Sequence, residues 1–126
     1  APPRIPRSTG QHVRKPNDRV HPRHHEFVRT LPCCSCGRAA PSECAHVRIG
    51  TDGGTGLKPN SKYSVPLCQV CHHRQHTGPG EVTFWAELGV DPLDLSLRLW
   101  SVTGNPDLGL RAVERCWQSI ALHRNL

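Results

Sequence analysis

Two Cys-x-x-Cys pairs constrain this chain more than any other feature: Cys33 and Cys36 in "PCCSCG", and Cys68 and Cys71 in "PLCQVC". In each pair the spacing lets a tight turn aim two sulfurs at one ion, and Gly37 after the first pair permits that turn. The pairs lie about thirty residues apart, enough chain to fold them onto a common centre. Four thiolates around a tetrahedral ion form a closed structural zinc site, with Cys33, Cys36, Cys68 and Cys71 as ligands. Such a site suits 126 residues of which only 36% are hydrophobic, because so small an apolar core gains most from a metal. The odd total of seven cysteines argues against a disulfide scaffold and for a reducing, cytoplasmic setting. The Arg- and Pro-rich start has no signal-peptide pattern, and no run is long enough to cross a membrane. Cys34, Cys44 and Cys116 fall outside the paired spacing and read as free or buried thiols.

The histidines follow from this assignment. "CHHRQH" begins on Cys71, so if four cysteines satisfy one ion, His72 and His76 are surplus. Four residues apart on a helix, they project from one face and can share a second ion, while His73 points roughly 100° away. The alternative is that one histidine substitutes in the zinc site and the others face solvent. His46, in the apolar stretch "CAHVRI", sits on an expected strand. A satisfied core histidine is the default there, yet it belongs to the same small unit.

Three segments organise the chain. Residues 1–28 hold five prolines and little periodicity, and read as an extended, disordered basic arm, either a linker or a strand lying along phosphates. Glu26 to Leu31 suits a short helix or turn. Residues 29–80 form the dense centre, with strands at 44–49 and 63–68, a Gly-rich loop at 50–62 that lacks a P-loop ending, and a helix at 69–76 stopped by Gly78-Pro79. Residues 81–126 read as a helical extension packed on this core. Its segments are Thr83 to Leu88, a helix opened by Asp91-Pro92 with Leu93, Leu97 and Trp100 on one face, and a last helix from about Asp107. Leu110, Val113, Trp117 and Ile120 form the expected apolar stripe of that last helix.

The phrase "AHVR…GTGLKPNSKYSVPLCQVCHHRQH" resembles the HNH endonuclease family, in particular the small phage- and prophage-borne members. The resemblance covers roughly residues 32–80. It implies a small α+β fold with a zinc-stabilised treble-clef ββα-metal core. It implies further that His46 is the general base, that His72 and His76 hold a catalytic divalent ion, and that the four knuckle cysteines hold structural zinc. In many members the residue before the base also binds the ion. Here that position is Ala45, which leaves the ion two protein ligands or makes His46 itself a third. The motif's middle Asn falls at Tyr63, with Asn60 the nearest Asn.

The implied reaction is metal-assisted hydrolysis of DNA phosphodiester bonds with little sequence specificity. A histidine with an unperturbed pKa of about 6.5 is neutral near pH 7, so His46 can accept the proton of the attacking water. Imidazole ligands admit Mn²⁺, Ni²⁺ or Zn²⁺ as well as Mg²⁺. Arg48, Lys58, Lys62 and Arg74 are the expected phosphate contacts. Residues 1–80 carry 12 Lys/Arg against 4 Asp/Glu, and residues 81–126 carry 4 against 6; the basic part suits a polyanion such as DNA. The rival reading is a non-catalytic zinc treble-clef module that binds DNA or acts as an adaptor. In either case the C-terminal helices could dock on a phage, replication or recombination protein.

Overall fold

The apolar stretches on either side of the Gly-rich loop pair with each other. In a computed structural model of the chain, which describes residues 20–51 and 60–126, β1 (Glu43–His46) and β2 (Ser64–Leu67) form an antiparallel hairpin. The register sets Glu43 opposite Leu67 and His46 opposite Ser64. Val47 N–H donates to the Tyr63 carbonyl at 2.8 Å and continues the ladder past the assigned strand ends. Ala45 and Val47 point into the core from one face of β1, while Cys44 and His46 on the other face are half-buried. Both strands are shorter than the six-residue stretches expected from sequence, because the chain leaves the ladder where the Gly-rich loop begins.

Among the described residues five helices surround this hairpin: α1 (Pro22–Arg29), α2 (Gln69–His76), α3 (Glu81–Leu88), α4 (Pro92–Ser101) and α5 (Pro106–Arg124). The result is a small α+β fold. Pro at the first position starts α1, α4 and α5. Asp91 caps α4 by accepting from the Leu93 and Asp94 amides, and Asn105 caps α5 by accepting from Leu108. Helix α1 packs on both strands, α4 packs on β2, and α5 packs on α3 and α4. None of these helices is long and apolar enough to cross a membrane. Residues 1–19, with most of the basic arm, and residues 52–59, with Lys58, lie outside the described residues.

Three sequence expectations change. The end of the arm is helical from Pro22, since Phe27, Val28 and His24 are buried beneath the neighbouring elements. On α4 the buried face is Pro92, Leu95, Ser96 and Leu99, whereas Leu97 and Trp100 are exposed at 43% and 37%. Leucines at 93, 95, 97 and 99 offer two competing stripes. The Leu95/Leu99 stripe tolerates Ser96 in the core because its hydroxyl donates to the Leu93 carbonyl at 2.8 Å. On α5, Val113 and Ile120 are buried as expected, but Leu110 is exposed and the face is completed by Gly109, Ala112 and Cys116. These small residues let α5 approach α1: a Cβ at position 109 would lie 2.6 Å from Phe27 Cζ.

His24 is a buried polar group that this packing leaves partly unsatisfied. It is 1% exposed, its ring lies edge-on to Trp100 at 5.0 Å, and its Nδ1 meets Thr103 Oγ1 at 2.8 Å. The Thr103 hydroxyl donates to the Trp100 carbonyl, so His24 donates Nδ1–H to it, and Nε2 is left without a partner. Burial, followed by the charges of His21 and His25, lowers its pKa from 6.5 to about 4. The folded state therefore keeps His24 neutral while the unfolded chain protonates it. Stability from this site is complete above pH 6.5 and falls as pH drops toward 4, by roughly 3 kcal/mol. Urea unfolding between pH 7 and 4 should show this loss in the wild-type chain and a flatter profile in His24→Leu. Identical slopes in the two proteins would contradict it.

Candidate metal centre

Both cysteine loops are held by backbone geometry before any ion is considered. After Cys36 the chain turns at Gly37, whose φ of +81° suits glycine, and Gly37 N–H closes the turn on the Cys33 carbonyl at 3.0 Å. The second pair opens α2: Cys68 is its N-cap, and its sulfur accepts from Cys71 N–H at 3.5 Å. Cys36 N–H makes the matching 3.5 Å contact with Cys33 Sγ. Cys34 N–H donates to the Pro66 carbonyl at 2.9 Å, which fastens the first loop alongside β2.

These bonds bring Cys33, Cys36, Cys68 and Cys71 together with all four sulfurs within 4.8 Å of one another. Tetrahedral zinc with bonds near 2.3 Å requires sulfur separations of about 3.8 Å, and Cys36 Sγ lies 3.7 Å from Cys68 Sγ. The cluster thus fits a metal such as zinc in both donor type and spacing. Three of the cysteines are buried and Cys36 is exposed. Burial pushes the Cys68 thiol up, but hydrogen bonds from the Cys71 amide and from the Cys71, Cys36 and Cys33 thiols outweigh it and bring the pKa down to about 7. Burial raises Cys71 instead.

Helix α5 backs this centre, which the local spacing of the cysteines does not reveal. Trp117 donates its indole N–H to the Cys33 carbonyl at 2.9 Å, and its ring lies beside Gly37. Cys116 Sγ contacts the Cys34 carbonyl at 3.4 Å. Cys34 and Cys116 are buried, Cys44 is half-buried, and all three stand outside the four-sulfur cluster.

The histidines form a separate flank. His72 and His76 lie side by side on α2, their ring centroids 4.9 Å apart, and His73 is exposed. His72 Nδ1 donates to Glu43 Oε1 at 2.8 Å. Glu43 is the site residue that sequence reasoning missed. It lies opposite Leu67, next to Cys68, so the strand register alone places it beside the first turn of α2. Desolvation by its neighbours lowers the His76 pKa, and the nearby His72 adds to this against the opposing pull of Glu81. His46 ends β1, and its carbonyl accepts from Gln75 Nε2 at 3.5 Å, which ties it to the turn between His72 and His76. Glu81 clamps the chain just beyond by accepting from the Arg48 and Ile49 amides at 2.9 and 3.2 Å. Among the described residues, His46, His72 and His76 do not converge into a second group of three ligand atoms.

Ala45 is fully buried on the strand face opposite His46, so a longer ligand side chain there would enter the core. Asn60 shapes the turn into β2: its side chain accepts from Lys62 N–H and its carbonyl from Tyr63 N–H. Of the expected phosphate contacts, Arg48 and Arg74 are exposed, and Lys62 lies over the Tyr63 ring at 5.1 Å.

If α5 holds the first cysteine loop in place, Trp117→Ala should weaken the zinc-loaded protein by roughly 2–3 kcal/mol and speed zinc loss to a chelator severalfold. Leu122→Ala, at a 70% exposed position, is the control. Equal release rates in the two variants would show that the indole does not secure the centre.

A curated relative, an uncharacterized protein, YdfU, of Escherichia coli strain K12, is 36% identical over 59 residues, or 46% of this chain. The chain covers only 16% of that protein's length. No solved structure matches the chain significantly. A family model described as "Protein of unknown function (DUF968)" matches residues 6–97, which span both cysteine pairs, the hairpin and the histidine helix; the chain belongs to that family.

Proposed function

We propose that the chain is a metal-dependent endonuclease of the HNH type, with a zinc-stabilised treble-clef core, that hydrolyses DNA phosphodiester bonds. One arrangement carries the reading. An antiparallel hairpin ends on His46, and a helix launched from the four-cysteine cluster sets His72 and His76 side by side, with Gln75 joining the two parts. A helix that starts on a metal-ligating sulfur is held in direction at its first turn, which is what paired catalytic ligands need.

Within this reading each group has a task. His46 is the general base that takes a proton from the attacking water. By accepting Nδ1–H from His72, Glu43 fixes the tautomer and leaves Nε2 as the ligand atom, the arrangement by which carboxylates orient metal-binding histidines. The lowered pKa of His76 keeps that ring neutral, as a ligand must be. A divalent ion on these two rings, when bound, would polarise a phosphoryl oxygen and stabilise the departing 3′ oxygen. Glu81 keeps the backbone beyond His46 from shifting.

Nicking of supercoiled plasmid across Mg²⁺, Mn²⁺, Ni²⁺ and Zn²⁺ tests the proposal. Cleavage is expected with at least one ion, and His46→Ala should reduce it by about 10²-fold or more while keeping its full zinc content. Glu43→Gln should raise the half-saturating concentration of the catalytic ion roughly 10- to 100-fold. Retained DNA binding with no cleavage under any ion would overturn the nuclease reading in favour of a non-catalytic treble-clef DNA-binding module.

A further inference from the structure

A groove of about 480 Å³ runs between the end of α1, the loop at 38–43 and the start of α2, lined by Arg29, Arg38, Ser42, Glu43, Cys68 and Gln69. We propose that this groove binds the sugar–phosphate backbone of a DNA strand, with Arg29 and Arg38 as its phosphate contacts. The proposal rests on the nuclease reading only for the identity of the strand.

Both arginines extend from anchored backbone. The Arg29 carbonyl accepts from Ser42 N–H at 2.9 Å, and the Arg38 carbonyl accepts from Cys33 N–H at 2.9 Å. Both side chains line the same groove, one from the end of α1 and the other from the loop after the first cysteine pair. Arg29 is paired with Glu26 at 3.8 Å, but the two side chains are 47% and 70% exposed. So screened a pair holds its arginine weakly and yields to a phosphate. Gln69, the first residue of α2, adds an exposed polar side chain to the groove lining.

Glu43 is the acidic lining residue, and it is engaged with His72 at 2.8 Å. The groove and the histidine pair thus share a wall. Two arginines line the groove and Glu43 joins it to the histidine pair, so a strand held there would follow a path toward His72. The excess of basic residues over residues 1–80 supplies the long-range attraction. The four side chains expected from sequence to contact phosphate do not include Arg29 or Arg38, so this path is additional to them.

Fluorescence anisotropy with a labelled 20-base-pair duplex tests the groove, using the full zinc-loaded chain without added catalytic ion across a series of salt concentrations. Arg29→Gln/Arg38→Gln is compared with Arg111→Gln/Arg115→Gln, which removes the same charge from exposed positions of α5. The groove variant should weaken binding about tenfold and lower the salt dependence of log K by about 2, one phosphate contact per arginine. The control should change affinity less than twofold. Arg38→Glu, altered only at an exposed side chain, should bind more weakly than Arg38→Gln. Indistinguishable affinities and slopes for the groove and control pairs would overturn the proposal, as would absence of duplex binding by the wild-type chain. Loss of plasmid nicking alone bears on the nuclease reading and leaves the slope comparison standing.

Discussion

Four sulfur atoms from two loops about thirty residues apart, all within 4.8 Å of one another, are the constraint on which the rest of this structure depends. They fasten the loop after α1 to the start of α2, and the hairpin between them closes the circuit through the Cys34–Pro66 backbone bond. Zinc on such a site contributes on the order of 10 kcal/mol. The net stability of a whole domain is about 5–15 kcal/mol. A zinc ion bound there would therefore supply stabilisation comparable to the net stability of a whole domain.

That dependence extends in both directions from the centre. Helix α2 is capped by Cys68 itself, so the direction in which His72 and His76 project is inherited from the sulfur cluster. Arg38 takes its backbone position from Cys33, so the proposed phosphate groove inherits its geometry from the same source. On the opposite side, Trp117 and Cys116 bring α5 against the first cysteine loop. The C-terminal helices are thereby part of the support for the centre, through the buried face of α5 that carries Cys116 and Trp117.

What was legible in the sequence was local. The cysteine pairs, the helix over 69–76 and the capped start of α4 each depend on residues a few positions apart, and spacing alone reveals them. What was not legible depended on register or on competition between faces. Glu43 meets His72 because it lies opposite Leu67 in the hairpin, and no short motif encodes that. Four alternating leucines on α4 gave two plausible stripes, and contact with the hairpin chose Leu95 and Leu99. The close approach of α1 and α5 rests on Gly109, an absence of side chain that a search for apolar stripes passes over. Ala45, which from the sequence stood where a ligand was expected, is a core residue on the far side of the strand.

The separation of sulfur scaffold from histidine flank is the centre of this account, and X-ray absorption at the zinc edge tests it directly. With one equivalent of zinc bound, the spectrum should fit four sulfurs at about 2.3 Å and should not change in His72→Ala or His76→Ala. A shell containing nitrogen that disappears in either histidine variant would contradict the account, because the two groups would then form one site.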